Sequence, residues 1–350
     1  MSTTSPRIVY LDLLNVLAIV AVIFLHVADC FLLDTNLTPT AWWPGMACDA
    51  ACRFSVPIFI MCSGAVFLNS NKIDSIGTFY QRRLPKLVVP LIGWSLIYYL
   101  YSCLTSSDLV CNPTDFLHRL AGSRVEGHLW FSYMIICIYL AIPYLHQLFQ
   151  QAEPACYAWF LAWCFGINSV NHLLGYFFDT AFYYPPTMFT AFLGYFVLGG
   201  ILARARILGP VGKTLALAAW LAGSAATLLG SWVLKQQQAA DPYLFLRYET
   251  LSNATAALGI FWLARSLPLR QLTYLKFWLN RLTASTYGVY LCHQLVRKIL
   301  ASQGWNYVTF VHDLGGPLAG ITANALLIYA VSIVLVLILG HIPLLRRLVT

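Results

Sequence analysis

The chain has 350 residues, of which 59% are hydrophobic and only 10% charged, with a mean hydropathy of +0.70. A soluble domain carries about 25% charged residues to cover its surface, so a water-soluble fold is excluded for the bulk of this chain. The net charge of +8 does not mark a nucleic-acid binder, because the basic residues are scattered between apolar runs, where membrane topology places them.

Each crossing helix takes roughly 20 apolar residues. In chain order the apolar segments are 9–32, 50–68, 87–105, 129–149, 155–174, 186–203, 214–234, 248–263, 282–299 and 318–342. The pattern predicts an all-α integral membrane protein of about ten transmembrane helices, one membrane domain over 1–350 with no appended soluble domain. With the N-terminus in the cytoplasm, the inner side holds twice as many of the 21 Lys and Arg residues as the outer side. Arg7, Lys72, Arg82, Arg83, Lys86, Arg204, Arg206 and Arg270 count among the inner set, and Arg53, Arg119, Arg124 and Arg247 among the outer. Both termini then lie in the cytoplasm, as an even number of spans requires.

The Val27-Ala28-Asp29-Cys30 stretch faintly resembles a lipoprotein cleavage site, but Asp12 interrupts the apolar run, and the segment reads as a retained first helix. Cys48 and Cys52 lack a second pair at metal spacing, so no metal is expected. Cys30, Cys48, Cys52, Cys103 and Cys111 are predicted near the outer face, where a disulfide can form.

Ionisable groups inside the bilayer are costly and are therefore functional candidates. His26 lies about 17 residues into the first span, roughly 25 Å from its inner end. Asp29 follows three residues later on the same face. A His beside a carboxylate is held in one tautomer and can act as a general base; the structural alternative is a ring bonded to a helix carbonyl beside a hydrated Asp29. His128 opens the fourth span, Arg53 lies at the outer end of the second, Arg247 and Glu249 at that of the eighth, and His293 a little past the midplane of the ninth. So many polar groups at similar depth predict a shared polar cavity. On the inner side, Arg82, Arg83 and Lys86 serve topology, and a basic rim of this kind also suits a phosphate-rich nucleotide donor. Trp42, Trp43, Trp130 and Tyr133 read either as an interfacial aromatic belt or as a stacking surface for sugar rings.

Six motifs occur in order along the chain: Tyr10-Leu11-Asp12-Leu13-Leu14 leading to Phe24-Leu25-His26; Val56-Pro57-Ile58-Phe59 through Ser63-Gly64; Phe79-Tyr80-Gln81-Arg82-Arg83-Leu84-Pro85-Lys86; His128-Leu129-Trp130-Phe131; Gly194-Tyr195-Phe196-Val197-Leu198-Gly199-Gly200; and Ser285-Thr286-Tyr287-Gly288 through Cys292-His293. The set resembles acyltransferase family 3, the integral-membrane O-acyltransferases of bacterial surface polysaccharides. The resemblance implies acetyl transfer from cytoplasmic acetyl-CoA to a glycan or glycolipid hydroxyl at the outer face of the bacterial inner membrane. The chain resembles the stand-alone branch, similar to enterobacterial common antigen O-acetyltransferase. The family pairs an Arg with the first-helix His eleven positions later; His26 matches the second member, and Asn15 stands where the Arg would be.

On this reading His26 is the base, oriented by Asp29, with His128 or His293 alternative or assisting. Arg53 or a helix-end donor stabilises the oxyanion. Arg82, Arg83 and Lys86 hold the donor, while Trp130, Tyr133, Arg247 and Glu249 approach the acceptor. A homo-oligomer stays open. The rival reading is a secondary transporter in which His26, Asp29 and Arg53 form a relay, but the two related halves it calls for are not evident in the sequence.

Overall fold

The structure is a computed structural model that describes residues 8–33, 39–70, 75–106, 111–178, 187–206, 209–239, 241–269, 273–343 and 345–349. Arg7, Lys72 and Arg270, used above for topology, lie outside these residues, as does position 186 at the head of the sixth predicted span. Among the described residues there is no strand. The helices are α1 (Val9–Leu33), α2 (Pro39–Cys52), α3 (Ser55–Phe67), α4 (Ile76–Arg83), α5 (Pro85–Thr105), α6 (Pro113–Ala121), α7 (Trp130–Gln151), α8 (Pro154–Phe178), α9 (Thr187–Arg204), α10 (Gly209–Gln236), α11 (Leu251–Arg265), α12 (Thr273–Ser302), α13 (Tyr307–Leu314) and α14 (Pro317–His341). Six stretches are long and apolar enough to cross a membrane: Val9–Leu32, Trp42–Phe67, Ile76–Thr105, Gly127–Gln151, Gly209–Gln236 and Pro317–His341.

Proline sets many of the starts. It opens α2, α5, α6, α8 and α14, where its missing N–H costs nothing and its fixed φ suits the first turn. The predicted second span, 50–68, falls on two helices. α2 already runs from Pro39, and the chain turns through Arg53 and Phe54 before α3 begins.

The chain divides into two compact units. The first comprises Met1–Asn71, Gln147–Thr283 and Tyr307–Ala325. Here α1 packs on α2 and α3, α3 on α9, and α10 on α11. The α3–α9 crossing is close because Gly64 faces the Phe196 backbone and Gly199 faces that of Met61. Small residues let membrane helices approach to this degree. Arg204 closes the end of α9: its Nη2 donates to the Leu68 carbonyl (3.2 Å) and the Gln150 side chain (3.1 Å), and its Nε to Asn69. Its guanidinium also lies 4.6 Å from the Phe149 ring centroid. Arg204 thus satisfies a helix C-terminus.

The second unit comprises Lys72–His146, Ala284–Asn306 and Leu326–Thr350. The α5–α6 corner is pinned several times. Asn112 caps α6 by accepting the Asp115 N–H at 2.8 Å, and the Tyr99 hydroxyl donates to Asp115 Oδ2 at 3.0 Å. The Arg119 guanidinium, 2.7 Å away, holds the Asp115 carboxyl below the usual carboxylate range. Cys103 and Cys111 form a disulfide across an eight-residue separation, the pairing coming from two of the five cysteines predicted to have that opportunity. Eight cysteines remain free. Denatured, unreduced protein is therefore expected to take up eight maleimides by intact mass, and ten after reduction; ten without reductant would show the bridge absent.

Candidate active site

The first unit assembles one polar set. α1 presents His26 and Asp29 one turn apart, with His26 Nδ1 at 3.7 Å from Asp29 Oδ2. That distance is ion-pair range but longer than a hydrogen bond, and such contacts commonly tighten when substrate binds. Asp29 Oδ1 lies 3.4 Å from Arg53 Nη2. Arg53 itself is gripped by Asp49 on the last turn of α2: Nη2 donates to Oδ2 at 2.7 Å and Nε donates to Oδ1. The guanidinium also lies 5.5 Å from the Tyr248 ring centroid. Asp49 is fully buried, whereas the His26 side chain keeps a quarter of its surface exposed. The network thus runs from a sealed carboxylate to an accessible imidazole.

Tyr248 is set in place by its backbone. The Tyr195 hydroxyl donates to the Tyr248 carbonyl at 2.6 Å, and the buried Asn253 amide donates to the carbonyls of Phe245 (3.0 Å) and Arg247 (2.9 Å). Of the two acceptor candidates beside it, Arg247 pairs with Asp241 at 2.7 Å on an exposed face, and Glu249 is buried.

The second unit holds a different set. His128, in the 3₁₀ turn Gly127–Leu129, and His293 on α12 are both buried, with ring centroids 5.0 Å apart. His293 Nδ1 lies 2.6 Å from the Tyr290 carbonyl, which can only accept, so Nδ1 is the donor of that contact. The Tyr290 hydroxyl donates to the His128 carbonyl at 2.6 Å. Tyr98 reaches into the α12 ladder, donating to the Leu291 carbonyl (2.8 Å) and accepting the Leu295 N–H (3.0 Å). An inserted hydroxyl of this kind locally opens a helix, here around His293. Lys298 pairs with Glu126 close by.

Trp130 is half-buried beside Phe131, and the Tyr133 hydroxyl donates to the Leu120 carbonyl. Arg82 and Arg83 end α4 and Lys86 is the second residue of α5, all three exposed. The structure therefore brings together His26, Asp29 and Arg53 within the first unit, and His128 and His293 within the second. Among the described residues, no cluster of three or more His, Cys, Asp or Glu side chains is placed to hold a metal ion.

The family profile described as an acyltransferase domain matches residues 8–342. The chain belongs to acyltransferase family 3. No curated protein and no solved structure matches the chain. As a member of this family it is a multi-pass membrane acyltransferase, and the apolar helices described above fit that architecture. The family's first-helix Arg has no stand-in at Asn15, whose side-chain amide donates back to the Leu11 carbonyl at 2.9 Å. Sequence reasoning missed Asp49 and Tyr248 as members of the His26 set. Asp49 falls one residue before the predicted second span, and Tyr248 is the first residue of the predicted eighth.

Proposed function

We propose that the protein transfers an acetyl group from cytoplasmic acetyl-CoA to a hydroxyl of a cell-surface or lipid-linked glycan at the outer face of the bacterial inner membrane. In this reading the chain makes ten crossings with both termini in the cytoplasm. The observation that carries it is the His26–Asp29 pair on the first helix of an acyltransferase-family chain.

The steps follow from the chemistry of the groups. Asp29 faces Nδ1 of His26, favouring a proton there and leaving the Nε2 lone pair for the acceptor hydroxyl. Nε2 takes the hydroxyl proton as the oxygen attacks the thioester carbonyl carbon, forming a tetrahedral oxyanion. Collapse breaks the C–S bond, and the departing CoA thiolate recovers the proton from the imidazolium. The products are the acetyl ester and free CoA thiol. Arg53, held by Asp49, steadies Asp29 and supplies positive charge near the developing oxyanion. We assign His128 and His293 an assisting role in transfer, and Trp130, Tyr133, Arg247 and Glu249 a role in taking up the acceptor.

The exposed Arg82, Arg83 and Lys86 serve the donor phosphates. Replacing Arg82 and Arg83 together with Gln is expected to raise the KM for acetyl-CoA about tenfold, the cost of a lost charge-assisted contact, with kcat nearly unchanged. Steady-state transfer assays in membranes check this, and an unchanged donor KM would assign both arginines to topology alone.

A further inference from the structure

We propose that Asp49 is a positioning residue for acyl transfer, setting the orientation and charge of the His26 imidazole through Arg53 and Asp29. The inference rests on the reading of His26 as the base.

Asp49 is fully buried, and an ionised carboxylate held away from water is costly unless paired. Its partner is Arg53, which it meets through both oxygens: Oδ2 accepts Nη2 at 2.7 Å, and Oδ1 accepts Nε. Two-point contact fixes the plane of a guanidinium as well as its place, which a single contact does not. With that plane fixed, the same Nη2 lies 3.4 Å from Asp29 Oδ1, and the other oxygen of Asp29 lies 3.7 Å from His26 Nδ1. The Tyr248 ring bounds the guanidinium, 5.5 Å away. Arg53 follows the last residue of α2, so its backbone is less constrained than a mid-helix position. The fork from Asp49, one helical turn earlier, supplies the constraint.

Charge points the same way. With both carboxylates ionised, the set carries one surplus negative charge, and a proton arriving on His26 brings it to neutrality. Without the Asp49 charge, Arg53 neutralises Asp29 by itself, and the imidazolium formed during transfer loses its compensation. A purely structural role for Asp49 would affect folding and leave turnover per folded molecule untouched.

The test is a set of purified variants, His26→Ala, Asp29→Asn, Asp49→Asn and the Asp29→Asn/Asp49→Asn double variant, with melting temperature in detergent recorded beside kcat and donor KM. Asp49→Asn is expected to lower kcat about 100-fold, in the range for a mispositioned general base, with donor KM within about twofold. Because both residues act through one path, the double variant should lose no more than the worse single variant. Should Asp49→Asn fail to fold, Asp49→Glu carries the same test, since it keeps the charge but displaces the fork. Wild-type kcat in a folded Asp49 variant, or losses that multiply in the double variant, would overturn the inference while His26→Ala remains inactive. If His26→Ala keeps its activity, the reading of His26 as the base falls, and this inference falls with it.

Discussion

Replacing His26 with alanine is expected to leave a folded protein whose acyl transfer is reduced about 1000-fold, the scale of losing a positioned general base. The fold should survive because the His26 side chain is a quarter exposed and its partner Asp29 keeps a second contact to Arg53. Arg53 in turn remains held by Asp49, so no buried charge is left unpaired. The variant should therefore match wild type in membrane yield and in melting temperature in detergent. The loss should fall on kcat, with the acetyl-CoA KM little changed, because the imidazole acts on the acceptor proton and not on the nucleotide. Transfer of labelled acetyl in washed membranes reads this directly. Retained activity would remove His26 from the mechanism.

The second large effect is structural. Gly64→Ala or Gly199→Ala should destabilise the first unit by at least about 3 kcal/mol, at or beyond the upper end for overpacking. A Cβ on Gly64 would land on the Phe196 carbonyl, and one on Gly199 on the backbone of Met61. Backbone cannot swing aside as a side chain does, so α3 and α9 must separate along the crossing. α3 leads directly from Arg53 and also packs against α1, which carries His26. Loss of the crossing should thus appear both as poor recovery in detergent and as lost activity. Gly77 offers a control, since nothing lies within 4 Å of where its Cβ would be. Comparable loss for Gly77→Ala would show that the effect is not specific to the α3–α9 approach.

Hydropathy made most of the helical plan legible. The segments read as 9–32, 87–105, 129–149 and 318–342 lie within a residue or two of α1, α5, α7 and α14, because long apolar runs bounded by Pro or polar residues leave little choice of boundary. Errors arose where polarity and helix coexist. The predicted second span begins at 50, eleven residues after α2 does, because Pro39, Pro44 and Asp49 weaken the apolar signal there, yet Pro39 opens the helix and Asp49 is paired inside it. α12 begins nine residues before the predicted 282, through Lys276 and Arg281, which a hydropathy threshold rejects. The short helices α6 and α13 carry no transmembrane signal, and α4 lies ahead of the predicted third span as a helical lead into α5.

The candidate site was legible in part for the same reason. His26 and Asp29 share one helix, so their proximity follows from a three-residue spacing alone. The pairing of His128 with His293 depends on how distant segments fold together, and single-sequence periodicity says nothing of that. Asp49 was hidden by its own neutralisation. A carboxylate four residues before an arginine is an ordinary helical pair, and spacing alone gives no hint that both lie beside the first helix. The grouping of all polar candidates into one cavity came from depth alone. Within each unit the structure groups His26 with Asp29, Arg53 and Asp49, and His128 with His293, Tyr98 and Tyr290.

The most direct test of the account is transfer across a sealed bilayer. Purified protein is reconstituted into liposomes with a hydroxyl-bearing glycan acceptor inside and acetyl-labelled acetyl-CoA outside. Label is expected in ester linkage on the enclosed glycan, with one CoA thiol released outside for each ester formed. Thiol release without ester on the glycan, or no label on the glycan while the donor is intact and the protein folded, would contradict it.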